Sequence, residues 1–316
     1  MLCTAVAVLA AGAGQLVPAV SPLLLAVVLG AVTVNVRALP ARLAPGLSFT
    51  SKQLLRAGVA LLGLQLVIGD LLELGPRVLV VVVVVVGLGV AGAACLGRAL
   101  GLSRGQRLLI ACGFSICGAA AVAAAEEVVE AEEEEVLASV ALVVVFGTLM
   151  IPAVPLLARA MGLEQTQAGL WAGASIHEVA QVVAAGGAIG GGALAVATAV
   201  KLARVLMLAP VITVLSARRR RICAGAVGAG RPPVVPPFVI AFVACAGLGS
   251  TGWLPEPVLT GAHWVQTVLL TAAMFALGTG IRAELLARVG PRLFLLAAAA
   301  TAWIAGLALL GVAWAR

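Results

Sequence analysis

Between Arg77 and Arg98 the chain runs for twenty residues, Val78 to Gly97, without one charged side chain. About 20 apolar residues are what an α-helix needs to cross the hydrocarbon core of a bilayer. The first part, Val78 to Val86, is valine at every position but one and has the propensity of a strand. In lipid, however, each backbone group must be paired within its own element, which leaves only helices and closed barrels. The expected element is a helix. Comparable apolar runs bounded by Gly, Pro or charge lie near 2–18, 22–39, 53–70, 106–125, 136–158, 168–188, 193–216, 233–250, 264–281 and 291–314. Together with 77–100 they predict an all-α transmembrane bundle of about eleven spans.

Composition agrees. The hydrophobic set is 63% of the 316 residues and the charged set 10%, too few charges to cover a water-exposed surface of this size. The chain therefore reads as one integral-membrane domain over 1–316. The segment 2–18 reads as a retained helix or as a signal peptide; the absence of a basic region before Leu2 favours the helix. A formal charge of +7 does not point to nucleic acid, because the basic residues sit between apolar runs, where they report orientation. The six cysteines (Cys3, Cys95, Cys112, Cys117, Cys223 and Cys245) have no paired spacing and read as small hydrophobic fillers.

With a cytoplasmic N-terminus, the inner loops carry Arg37, Arg42, Lys52, Arg98, Arg104, Arg107, Arg159, Arg218 to Arg221, Arg231, Arg282, Arg288 and Arg292, fifteen of the twenty basic residues. The outside then receives Arg77, Arg316 and the acidic cluster Glu126, Glu127, Glu130 and Glu132 to Glu135, and the C-terminus lies outside. Two internal likenesses suggest duplication. Leu54 to Arg77 matches Leu269 to Arg292 at a constant shift, both ending in Gly-Pro-Arg, in opposite orientations as an inverted repeat requires. Gly113-Phe-Ser115-Ile116 resembles Gly173-Ala-Ser175-Ile176, but in this topology those two stretches run parallel.

Gly and Ser clustered in mid-span mark places where a helix can break, and broken helices at the midplane hold substrate in many transporters. For Gly113-Phe-Ser115-Ile-Cys117-Gly118 the competing reading is close helix packing through small residues. The second segment, Gly173-Ala-Ser175-Ile-His177-Glu178-Val-Ala-Gln181, adds ionisable groups, which are costly in lipid and usually functional. Ser175 and Glu178 have capping-box spacing, so a half-helix is expected to start there, its amides ready for an anion. His177 and Gln181, four apart, are expected on one wall, with His177 and Glu178 as the proton-coupling pair. In the next span Lys201 and Arg204 share a face and are expected either to pair with Glu178 or to bind an anion. Arg56 reads as a snorkelling anchor.

These stretches, with Phe146-Gly-Thr148, Trp171 to Ala185 and Val200 to Pro210, closely resemble the YeiH-type family, to which sulfate export is assigned. The resemblance covers about residues 20–314. It implies a bacterial inner-membrane protein similar in fold to the cation/proton antiporter and anion transporter superfamily, with inverted repeats and crossed, broken helices. The chain departs from the family where relatives tend to carry Lys, having Glu130 and Glu132 instead.

The expected function is secondary transport of a small anion, sulfate or a sulfonate among the candidates, coupled to a proton or cation. The substrate site would comprise Ser115, Cys117, Gly118, Ser175, Gln181, Lys201 and Arg204. Alternatives are a monovalent cation/proton antiporter with Glu178 as carrier, and a membrane protein that transports nothing. No catalytic site, cofactor, metal or nucleic-acid partner is expected, and the oligomeric state, a homodimer among the options, stays open.

Overall fold

The structure, a computed structural model, describes residues 22–36, 39–65, 68–223, 237–281 and 290–315. The segment 2–18, Cys3, Arg37, Arg231, Arg282, Arg288, Arg316 and the basic loop after Cys223 lie outside the described residues, which are helical with no strand among them. In chain order the helices are α1 (Pro22–Val36), α2 (Ala44–Phe49), α3 (Leu55–Leu62), α4 (Ile68–Glu73), α5 (Gly75–Ala99), α6 (Arg104–Ser115), α7 (Ala119–Val129), α8 (Glu133–Ala160), α9 (Gln165–Ser175), α10 (Val179–Ile189), α11 (Gly191–Leu206), α12 (Leu208–Cys223), α13 (Pro237–Ser250), α14 (Glu256–Gly278) and α15 (Pro291–Ala315). The valine run is helix throughout; Val81, Val82, Val85 and Val86 are buried, while Val80, Val83 and Val84 face outward. That exposed apolar face is what lipid solvates.

Among the described residues five helical stretches are long and apolar enough to cross a membrane: Gly75–Ala99, Glu133–Ala160, Gly191–Arg220, Glu256–Gly278 and Pro291–Ala315. Shorter apolar helices, among them α10 and α13, pack with them. The chain is thus a multi-helical membrane protein.

Two of the expected spans do not cross. In the stretch expected at 106–125, α6 starts at the N-cap Ser103, whose hydroxyl accepts from the amide of Gln106, and stops after 12 residues, about 18 Å. The chain breaks at Ile116 and Cys117, turns at Gly118 (φ +75°), and returns as α7. The return is fixed by contacts at the starting end: Ser103 Oγ bonds the Glu135 carboxylate, at the beginning of α8. The stretch expected at 168–188 does the same from the other end. There α9 runs to Ser175, the backbone is broken at Ile176 to Glu178, and α10 returns until Gly190 lies against the Gln165 side chain. Between the hairpins α8, 28 residues and about 42 Å long, connects the two ends.

This corrects three expectations. The acidic cluster shares an end with the basic loops: Lys52 Nζ lies 2.9 Å from Glu126 Oε1, and Arg219 pairs with Glu130. Arg159, at the far end of α8, belongs to the opposite end. The Gly113 and Gly173 stretches enter from opposite ends rather than in parallel. Each hairpin removes one crossing, so the two miscounts cancelled and the alternation of basic loops elsewhere survived. The other likeness is only half visible. Gly58 abuts Leu270, and the Gln65 side chain reaches His263 and Gln266, so α3 and α14 run antiparallel; 282–289, the end of the second copy, lies outside the described residues.

The helices form two layers. One holds α5, the two hairpins, α8, α11 and α15; the other holds α1, α3, α13 and α14. Within the second, α1 and α14 approach so closely at Gly30 and Gly278 that a Cβ on either would meet backbone of the other. Between the layers direct packing is sparse, and a cavity lies there.

With the native cysteines replaced, single cysteines at Glu130 and Arg219 should label with a membrane-impermeant maleimide from the same side, and a cysteine at Glu164 only from the opposite side. Labelling of positions 130 and 219 from opposite sides would mean that the second hairpin crosses instead of returning.

Candidate functional site

The hairpin tips meet, and each brings two kinds of helix end. At the C-terminal ends of α6 and α9 the last carbonyls have no partner within the helix. They are bound by two side chains of α11. Arg204 donates from Nε to the Ser115 carbonyl (3.2 Å), from Nη1 to those of Gly173 (3.1 Å) and Ile176 (2.9 Å), and from Nη2 to those of Phe114 (3.0 Å) and Ser115 (2.8 Å). Lys201 Nζ donates to the carbonyls of Ile116 and Ile176, both at 2.8 Å, and of His177. A guanidinium has five N–H donors and an ammonium three, so every donor is engaged. Both side chains are fully buried.

The expectation offered Glu178 or an anion as their partner. Neither describes the arrangement: both cations are bound to backbone, and among the described residues no ion pair joins them to Glu178. The physical reason is that helix C-termini carry partial negative charge, and two of them converge beside α11.

The N-terminal ends of α7 and α10 converge on Glu178. Its Oε1 accepts from the Ala119 amide at 3.2 Å, and its carboxylate accepts from the Gln181 amide in a capping box whose reciprocal bond runs from the Glu178 amide to Gln181 Oε1 (3.1 Å). One carboxylate therefore caps two half-helices. Gly118 permits this: its φ of +75° suits glycine, and the Glu178 Cγ occupies the space a Cβ would need. A half-helix does start in this segment, but Ser175 does not cap it. Ser175 is the last residue of α9, with Oγ donating to the Trp171 carbonyl (2.6 Å), and Glu178 itself is the cap.

The remaining expected residues face several directions. His177 lies in the break, not on a helix face with Gln181; its Nδ1 is 3.2 Å from the Phe114 carbonyl and its Nε2 3.1 Å from Thr301 Oγ1, with its ring centre 4.5 Å from that of Phe114. A carbonyl only accepts, so Nδ1 carries a proton. The Gln181 amide is pressed against Gly147, its Nε2 without a partner. Ser115 Oγ, also unpartnered, points to Gly89. Cys117 and Glu178 line the cavity; Ser115, Ser175, His177, Gln181, Lys201 and Arg204 do not.

The cavity, about 480 Å³, lies between the layers. From the hairpin layer it is lined by Cys117, Ala120, Glu178, Val179, Ala180, Val183, Thr198 and Leu202, and from the other by Pro22, Val59, Leu62, Gln65, His263, Gln266, Thr267, Leu270 and Met274. Sequence reasoning missed Gln65, His263 and Gln266. Gln65 Nε2 lies 2.7 Å from His263 Nδ1 and donates to Gln266 Oε1. The signal was available, since Gln65 and Gln266 sit in apolar runs as Gln181 does, and His263 is the other of only two histidines.

A family model described as Conserved hypothetical protein 698 matches residues 1–297. The chain belongs to this family, whose curated members carry the name UPF0324 membrane protein. It is 50% identical over 311 residues to such a protein of Corynebacterium glutamicum, covering 98% of this chain and 90% of the relative. It is 40% identical to one of Pseudomonas aeruginosa, covering 90% and 83%, and 39% identical to UPF0324 membrane protein TauZ of Paracoccus pantotrophus, covering 85% and 82%. The membership is consistent with the YeiH-type resemblance. No solved structure matches the chain.

Replacing Arg204 by Met should destabilise the detergent-solubilised protein by at least about 3 kcal/mol, because buried carbonyls lose charged donors. Lys at this position should recover only part of the loss, since three donors replace five. Thermal unfolding of the two variants measures both; unchanged midpoints would contradict the bracing role.

Proposed function

We propose that the chain is a secondary transporter of a small oxyanion, sulfate or a sulfonate, with Glu178 as the proton-coupling group. The observation that supports this best is the convergence of two half-helix N-termini on the wall of an inter-layer cavity, capped by the one carboxylate that lines it among the described residues. Helix N-termini attract anions through their amides and dipole. In this state Glu178 fills that role itself. A proton on Glu178 would remove the competing charge and weaken its hold on the two amides, so that an anion and a proton enter together. Lys201 and Arg204 then act as positioning residues, holding the tips so that the amides stay aimed at the cavity.

The sides follow from basic residues. Lys52, Arg98, Arg104, Arg107 and Arg219 gather at one end, which the positive-inside rule makes cytoplasmic. The cavity reaches from the hairpin tips toward the opposite end, where Gln65 and His263 lie. Sparse packing between the layers suits a mechanism in which one layer moves against the other to exchange access between ends. A bacterial inner membrane, a cytoplasmic N-terminus and an inverted-repeat ancestry fit this reading.

A monovalent cation/proton antiporter is the second reading, and one observation favours it: among the described residues no ammonium or guanidinium lines the cavity, whereas a carboxylate does. Counterflow of labelled sulfate or a short sulfonate into preloaded proteoliposomes separates the two. The anion reading predicts counterflow, stimulated by a proton gradient directed with the anion, and Glu178→Gln should retain counterflow but lose the stimulation. Release of protons on adding Na⁺ or K⁺ with no transportable anion present, and no counterflow, would establish the cation reading instead.

A further inference from the structure

The cavity has features that a bare tetrahedral oxyanion does not use. Its volume of about 480 Å³ lies in the range that holds organic molecules. Its lining residues on α14 include His263, Gln266, Leu270 and Met274, so it extends along that helix over several turns. Apart from the hydroxyls of Thr198, which donates to the Leu194 carbonyl, and Thr267, its polar side chains form two groups. One is Glu178 with Cys117 at the hairpin tips; the other is the cluster of Gln65, His263 and Gln266. Val59, Leu62, Leu202 and Leu270 contribute an apolar wall.

The second pole has bonding capacity that its internal contacts do not consume. Gln65 Nε2 donates to both His263 Nδ1 and Gln266 Oε1, which places the imidazole proton on Nε2. The Gln65 carbonyl oxygen, the His263 Nε2–H and the Gln266 amide N–H groups are left over from that network. They offer one acceptor and several donors, without formal charge. This chemistry suits a neutral hydroxyl or amide better than a second anion.

We propose that the ligand of this cavity is a short organic anion with an apolar middle, its anionic head at the Glu178 pole and a neutral hydrogen-bonding group at Gln65, His263 and Gln266. The proposal rests on the anion reading and narrows it from oxyanions in general to bifunctional organic ones. Gln65 and Gln266 become specificity-determining residues, absent from the site expected in the sequence.

The test uses the full-length protein in detergent at acidic pH, where the anion reading has Glu178 protonated, and three probes: sulfate, ethanesulfonate and 2-hydroxyethanesulfonate, titrated calorimetrically. The hydroxyl should tighten binding about tenfold over ethanesulfonate, the size of one well-made hydrogen bond. Gln266→Leu should abolish that difference between the two sulfonates. The ligand comparison on the unaltered protein needs no variant, so a folding defect in Gln266→Leu does not obscure the result. Sulfate binding with equal or no binding of the two sulfonates would overturn the proposal and leave the anion reading standing. If none of the three binds, the anion reading fails and the proposal falls with it.

Discussion

The structure depends on eight hydrogen bonds that Lys201 and Arg204 donate to the carbonyls of two broken helices. A helix that stops in the middle of a lipid-embedded protein leaves carbonyls which neither water nor lipid can satisfy. Two such stops, on hairpins entering from opposite ends, would each be prohibitive alone. Brought together beside α11, their partial negative charges offset the cost of burying two cations, and the cations satisfy the carbonyls. The arrangement is mutual: neither the breaks nor the buried charges are tolerable without the other.

The same geometry sets the electrostatics on the other side of the tips. Because α7 and α10 begin where α6 and α9 end, the two N-terminal ends are brought together as well, and a single carboxylate, Glu178, caps both. Negative helix ends face two cations on α11, and positive helix ends face one anion on the cavity wall. The site is polarised by backbone as much as by side chains. Its working face presents Glu178, Cys117 and the first residues of α7 and α10, while the formal positive charges stay behind it, shielded from the cavity.

Gly113 to Gly118 and Gly173 to Gln181 were legible as candidate breaks because small residues cluster there in mid-span, joined in the second by costly ionisable groups, with close helix packing as the competing use of the first. That each break sends the chain back to its own side was not legible. A broken span that continues and a hairpin that returns have the same composition and nearly the same length, and two returns preserve the alternation of basic loops that tests a span count. Contacts decided it: Ser103 with Glu135, Lys52 with Glu126, and Gln165 against Gly190. The Gln65, His263 and Gln266 pole was legible in principle but overlooked, because isolated amides lack the formal charge that drew attention to Lys201 and Arg204.

By itself the sequence determined that this chain is helical and belongs in a bilayer, since twenty-residue uncharged runs leave no other way to satisfy a backbone away from water. It also determined which residues are buried against their chemistry: Glu178, Lys201 and Arg204 stand out in apolar surroundings without any coordinates. Only the tertiary structure decided what those charges face. Whether a buried ammonium meets a carboxylate, a solute or a ring of carbonyls depends on where helix ends lie in space, and helix ends brought together from 60 residues apart in the chain leave no trace in local periodicity.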